Sequence, residues 1–202
     1  MDKYRTEILH LLKPLSFQKQ LVFSALICEK LLPNYIHFSQ TVSWGNPLSL
    51  QNAISVIYQN VFRNDLFTSE EMQDLISEIE LVTPDTEDFE SILVSFALDS
   101  CTSLLSTLNF IIDKEIDNVA DVATYSRDTI DMYIQERDDL SLDDKMLAIK
   151  IEQDFFMQKE KQRQRTVLKL LLEMNEITDA QLQRLREIQP LPIVDLSLLP
   201  SI

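Results

Sequence analysis

The 202-residue chain contains one glycine, Gly45. Glycine supplies the positive-φ conformations of tight hairpin turns, bulges and phosphate-cradling loops. A glycine-rich dinucleotide fingerprint, a P-loop and a G-x-S-x-G nucleophile elbow each need at least two glycines, so all three are excluded by count. Apolar residues instead recur at helical steps almost throughout. No alternating run marks a strand, and no period marks a repeat array. The expectation is a single all-α domain, a bundle of about seven to nine helices.

A chain of 23.5 kDa folds to about 9,800 Å² of surface from about 34,000 Å² unfolded, so its core needs no disulfide or metal staple. Cys28 and Cys101 form no C-x-x-C pair and read as buried free thiols in a reducing cytosol. Met1 to Lys13 carries Lys3, Arg5, Glu7 and His10 within its apolar stretch and lacks the uninterrupted run of an export signal. A cytoplasmic protein is expected.

Turn chemistry divides the chain. Ser16 caps a helix expected to reach Leu32, where Pro33 limits it, and a short segment from Asn34 to Val42 follows. Asn46 and Pro47 form the cap and first turn of the next helix, to about Asn64. Gly45, between the two, is expected to be a left-handed cap holding Trp44 against Tyr35 and Phe38. Thr68 with Glu71 and Thr178 with Gln181 are spaced as capping boxes. From about 87 to 112 polar residues draw one narrow stripe, Ser91, Ser95, Asp99, Thr102, Ser106, Asn109 and Asp113, so this helix is buried around most of its circumference. Another helix begins at Asp117 or Asn118. Ser141 with Asp144 opens what reads as one long helix to about 175, some 50 Å at about 1.5 Å per residue. The tail from 189 to 202, rich in proline, leucine and isoleucine, reads as an extended strap packed on the body or on a second subunit.

The net charge of -15 argues against nucleic acid and anionic membrane as partners. Its distribution is uneven. Residues 64 to 113 hold twelve acidic residues and no Lys or Arg, whereas 159 to 169 hold five basic residues against Glu160 alone. Two solvated faces, an internal pairing of the two, and a basic strip that binds an acidic partner all fit this pattern.

Catalytic constellations are scarce. Glu7 and His10 form an E-x-x-H pair, but di-iron bundles need two and Asn34 precedes His37 at that spacing. No H-E-x-x-H zinc motif occurs. A cysteine nucleophile would need His37 brought to it by the fold. No metal site, catalytic residue or cofactor is assigned. The stretch from 91 to 112 resembles a membrane span in length, yet Asp99 at its centre and its many hydroxyls favour a core helix. Asp99 lines a groove or bonds a neighbouring helix cap or an Arg; both readings stand.

The run from Leu26 to Tyr35 (Leu-Ile-Cys-Glu-Lys-Leu-Leu-Pro-Asn-Tyr), with Phe38 and Thr41 to Gly45, resembles a segment of the bacterial YjaG-like proteins, a domain-of-unknown-function family numbered 416. Ala97 to Cys101 is similar to that family's A-I-D-A-C segment. Ser43-Trp44-Gly45-Asn46 departs from the family's G-F-G-D, with Trp where Phe is usual. The resemblance implies an all-helical, cytoplasmic bacterial protein and brings no activity, cofactor or catalytic residue.

The leading expectation is a non-enzymatic protein that acts by association, with itself as a homo-oligomer or with another protein. The alternative is a small-ligand binder or minor enzyme, its pocket lined by Tyr35, His37, Trp44 and Asp99.

Overall fold

In the computed structural model the described residues are 3–63, 67–141, 145–188 and 192–199. They form nine α-helices and two short 3-10 turns in one helical domain, with no strand. The accessible surface is 10,307 Å², close to the value expected from mass. Three long helices make the centre: α2 (Phe17–Val42), α5 (Leu93–Asp113) and α6 (Ile116–Arg137). Ser100 donates to the carbonyl of Leu31 and Thr107 meets Ser24, so α2 and α5 run antiparallel. On one side lie α3 (Pro47–Phe62) and α4 (Ser69–Leu81); on the other lie α1 (Lys3–Leu12) and α8 (Phe155–Glu173). Helix α7 (Leu147–Gln153) leads into α8, and α9 (Asp179–Ile188) follows it.

Several starts follow the residues expected. Asn46 accepts from the backbone N–H of Leu48, Thr68 and Glu71 complete a reciprocal capping box, and Thr178 and Gln181 exchange the same bonds. The Ser141–Asp144 pair reaches outside the described residues.

Three boundaries differ from expectation. Helix α2 runs straight through Pro33. An interior proline costs about 3 kcal/mol, but Leu31, Tyr35 and Phe38 around it are fully buried, and each such side chain returns about 1.5–3 kcal/mol. Packing therefore outweighs the break. Helix α5 starts at Leu93 instead of 87, because Asp85 caps a separate turn (Thr86–Asp88) and the extended Phe89 packs edge-on against Phe38 and Trp44. The long helix of 142 to 175 is two helices. Asp154 is extended, caps α8 by accepting from the N–H of Phe156, and is held there by Arg137.

Along the polar stripe on α5, Asp99 is buried, Ser95, Thr102 and Ser106 are half-buried and Asn109 and Asp113 are exposed, and 13 of the helix's 21 residues are buried. By length and composition α5 could cross a membrane, and here it is mostly covered by protein. In the described part of the tail Ile193 and Val194 are buried on the chain's own body, and Tyr133 donates to the carbonyl of Asp195.

Candidate functional site

The four side chains expected to share a pocket do not meet. Tyr35 is fully buried; its hydroxyl donates to the carbonyl of Val82 and accepts from the N–H of Asn46. Burial pushes it up to about 12. Both bonds tie helix ends together, and neither leaves a group for a ligand. The rings of Trp44 and Tyr35 each pack on Phe38, with centroids 6.1 and 6.2 Å from it. His37 is exposed and lies about 200° around α2 from Tyr35.

Asp99 and Cys101 likewise project from opposite sides of α5. Cys101 faces the Val82 carbonyl beside Tyr35, whereas Asp99 turns to α6 and accepts from the Thr129 hydroxyl at 2.7 Å. Asp99 thus bonds a hydroxyl in the middle of α6, neither the helix cap nor the Arg expected, and turns away from a groove shared with Tyr35 and Trp44. Burial pushes its carboxyl up to about 7, with a smaller contribution from the charge of Asp128.

Gly45 has φ +83°, and a Cβ there would collide with the Tyr35 hydroxyl. The left-handed cap of α2 itself is Ser43, at φ 55°; Gly45 makes the following turn and lets the backbone approach Tyr35. Both cysteines are buried and free, and burial pushes both thiols up to about 12. His37 lies half a turn away from Cys28 around α2, so no Cys–His pair forms between them.

The basic run is the largest departure from expectation. Lys30, Glu160, Arg163, Gln164 and Ser126 are all buried. Lys30 and Arg163 both pair with the Glu160 carboxylate, which also accepts from Ser126 and Gln164. Burial brings the Arg163 guanidinium down to about 9. Lys161 pairs with Glu152, and Arg165 forms a two-point pair with Glu7, which takes the carboxylate of the E-x-x-H pair. Among the described residues no group of three or more His, Cys, Asp or Glu side chains could hold a metal. The partners of the basic strip are Glu7, Glu152 and Glu160, and none comes from the acidic stretch.

From Phe38 to Asp113 the sequence has one cation, Arg63. Among the described residues no carboxylate between 67 and 113 takes part in an ion pair. Helix α3 carries no charge at all, and α4 carries Glu70, Glu71, Asp74, Glu78 and Glu80 with no cation. An open groove of about 240 Å³ runs between them, floored by Val56, Phe67, Met72 and Leu75. The raw signal, twelve acids without a base, was visible in sequence. The apolar floor was not, because it is built from two helices and a connecting residue.

An α-helical bundle with a buried polar cluster, two free cysteines and an acidic side, and with no catalytic group assembled among the described residues, describes a class without giving it an activity. The comparisons place it more closely. Residues 7–189 match the family described as Protein of unknown function (DUF416), and the chain belongs to that family. It is 28% identical over 130 residues to an uncharacterized protein of Haemophilus influenzae, covering 61% of this chain and 63% of that protein. It is 24% identical over 122 residues to the uncharacterized protein YjaG of Escherichia coli, covering 60% and 61%. The chain thus spans a little under two thirds of the length of these relatives. A crystal structure of a DUF416 family protein from Shewanella baltica OS155 superposes with a TM-score of 0.79 at 27% identity, covering 89% of this chain and 91% of the other.

Proposed function

We propose that this protein acts by association with a positively charged protein partner, met by the face that α3 and α4 present. The observation that carries the reading is the set of exposed carboxylates on α4 with no ion-pair partner among the described residues. Charged faces of this kind steer encounter and select partners by sign. The basic strip is the weaker candidate, because Lys161, Arg163 and Arg165 already end on carboxylates of the same chain and only Lys159 and Lys169 of its five cations stand exposed without an ion pair among the described residues. A second copy docking by the same face would bring like charge and be repelled.

The pocket alternative would need Tyr35, His37, Trp44 and Asp99 in one cavity, and their directions oppose it. Photo-crosslinkable residues at Ser55 and Ser77, both exposed on this face, compared with one at the exposed Gln162 on α8, test the proposal in living cells. Cross-links to a basic protein are expected at 55 and 77 and not at 162. Equal capture at all three, or capture only of further copies of the chain, overturns it.

A further inference from the structure

Resting on the association reading above, we infer that the groove between α3 and α4 is a docking site for an amphipathic helix of the partner, apolar on one face with Lys or Arg along one edge. The two walls differ. On the α4 wall stand Glu71, Asp74 and Glu78; on the α3 wall the lining side chain is the uncharged Asn52. Glu71 is spent locally, since its carboxylate accepts from the N–H and hydroxyl of Thr68. Asp74 and Glu78 remain, one turn apart on the same helix, and like charges at that spacing repel. No cation on α4 relieves them. A partner's Lys or Arg pair at the same spacing would.

The floor supplies the other half of the recognition. Met72 and Leu75 are buried, and Val56 and Phe67 are half-buried, so an apolar side chain laid between them loses water without displacing polar groups. The volume of about 240 Å³ is below the roughly 300–1,000 Å³ of small-molecule pockets and suits a protruding apolar side chain. A helix in a groove, anchored at i, i+3 or i+4 and i+7, is the recognition mode with this shape. The asymmetry of charge orients it, basic edge toward α4. A divalent cation is a poor occupant, because no metal-holding group of carboxylates forms among the described residues.

The test uses three dye-labelled peptides of about 18 residues, roughly five helical turns, titrated by fluorescence anisotropy. One places Leu on one face and Lys on the other. The second has the same residues scrambled so that no apolar face forms, and the third keeps every Lys and replaces Leu by Ser. The first is expected to bind about tenfold tighter than either control, with affinity that falls as salt rises. Asp74→Lys with Glu78→Lys should weaken it about tenfold, whereas Glu87→Lys with Asp88→Lys, the same charge change outside the groove, should weaken it less than about threefold. Circular dichroism and melting of both variants establish that they fold, and the milder Asp74→Asn should give a smaller loss of the same sign.

Equal binding of all three peptides shows charge attraction alone and overturns the groove while leaving the acidic-face reading. Binding reduced equally by the two double variants does the same. Absence of binding by every peptide at low salt sinks both. Binding of the first peptide that neither double variant alters also overturns the groove.

Discussion

Two sides of one bundle handle charge in opposite ways. On the α1–α6–α8 side, Lys30 and Arg163 converge on Glu160 inside the protein, and Arg5, Lys161 and Arg165 each end on a carboxylate of another element or turn. On the α3–α4 side, carboxylates stand in solvent with no ion-pair partner among the described residues, around an apolar floor. The first arrangement satisfies these charges within the chain, in a buried cluster around Glu160 and in part-exposed pairs about it. The second is open, and its charge is available to something outside the chain. The sequence marks both runs alike; whether each charge already has a partner tells them apart.

Breaking the closed side should have the largest effect. Glu160 serves two buried cations, so Glu160→Gln strands both Lys30 and Arg163 away from water. Uncompensated buried charge costs about 3–5 kcal/mol, read as a lower urea midpoint at unchanged slope. Lys30→Met leaves the Arg163–Glu160 pair and strands nothing, so it should cost about 1 kcal/mol or less. A larger loss for Lys30→Met than for Glu160→Gln would mean that the lysine, not the carboxylate, is the hub.

Asp99 tests where the acidic stretch stops being surface. It is the buried member of that stretch, on the central α5, and burial holds its carboxyl near 7 against a usual 3.8. A carboxyl with a raised folded pKa binds its proton more tightly in the folded state. Its contribution to stability is therefore full below about pH 4 and is lost as pH rises to about 7. Asp99→Asn keeps an acceptor for Thr129 and removes that loss. We expect the variant to be more stable than the parent at pH 8, by about 1–3 kcal/mol, with the gain vanishing near pH 4. Thermal melts of both proteins across that window check it; a constant difference would show that the carboxylate is not what titrates.

Local chemistry was readable in the sequence, and partnership was not. Thr68 with Glu71, Thr178 with Gln181, and Asn46 with Pro47 act within four residues, so spacing sufficed to find them. The stripe on α5 was legible because burial of a helix face leaves a period. Pro33 misled because its cost is local while the packing that outweighs it comes from other helices. Asp154 ends one helix and starts another because Arg137, 17 positions away, holds its carboxylate. Arg163 reads as a surface charge until Lys30 and Glu160, 130 residues apart, are seen to meet. The acidic half of the candidate site was visible as composition; its groove needed tertiary contacts.

The corner that carries the acidic face is held by Tyr35 and Gly45, since the tyrosine hydroxyl bonds the carbonyl of Val82 just after α4. Gly45→Ala meets both a positive φ and the Tyr35 hydroxyl, and should cost about 1–2 kcal/mol. Tyr35→Phe removes the clashing oxygen along with its two bonds. Alanine at 45 should then cost less in the Phe background than in the parent, a coupling that a double-mutant cycle measures. Strict additivity would place the strain in the backbone alone.

The open side should answer stability measurements least. Asp74→Asn with Glu78→Gln removes two exposed charges that touch no cation, so the melting temperature should move by less than about 2 °C. The sign is expected to be upward, because two like charges one turn apart on α4 are relieved, and the shift should disappear in high salt, which screens the repulsion in the parent as well. A fall of several degrees would instead mean that these carboxylates hold the fold, and the contrast between the two sides of the bundle would be lost. The same substitutions are expected to cost the groove its cationic partner, so a chain that melts unchanged while binding is lost separates presenting charge from packing it.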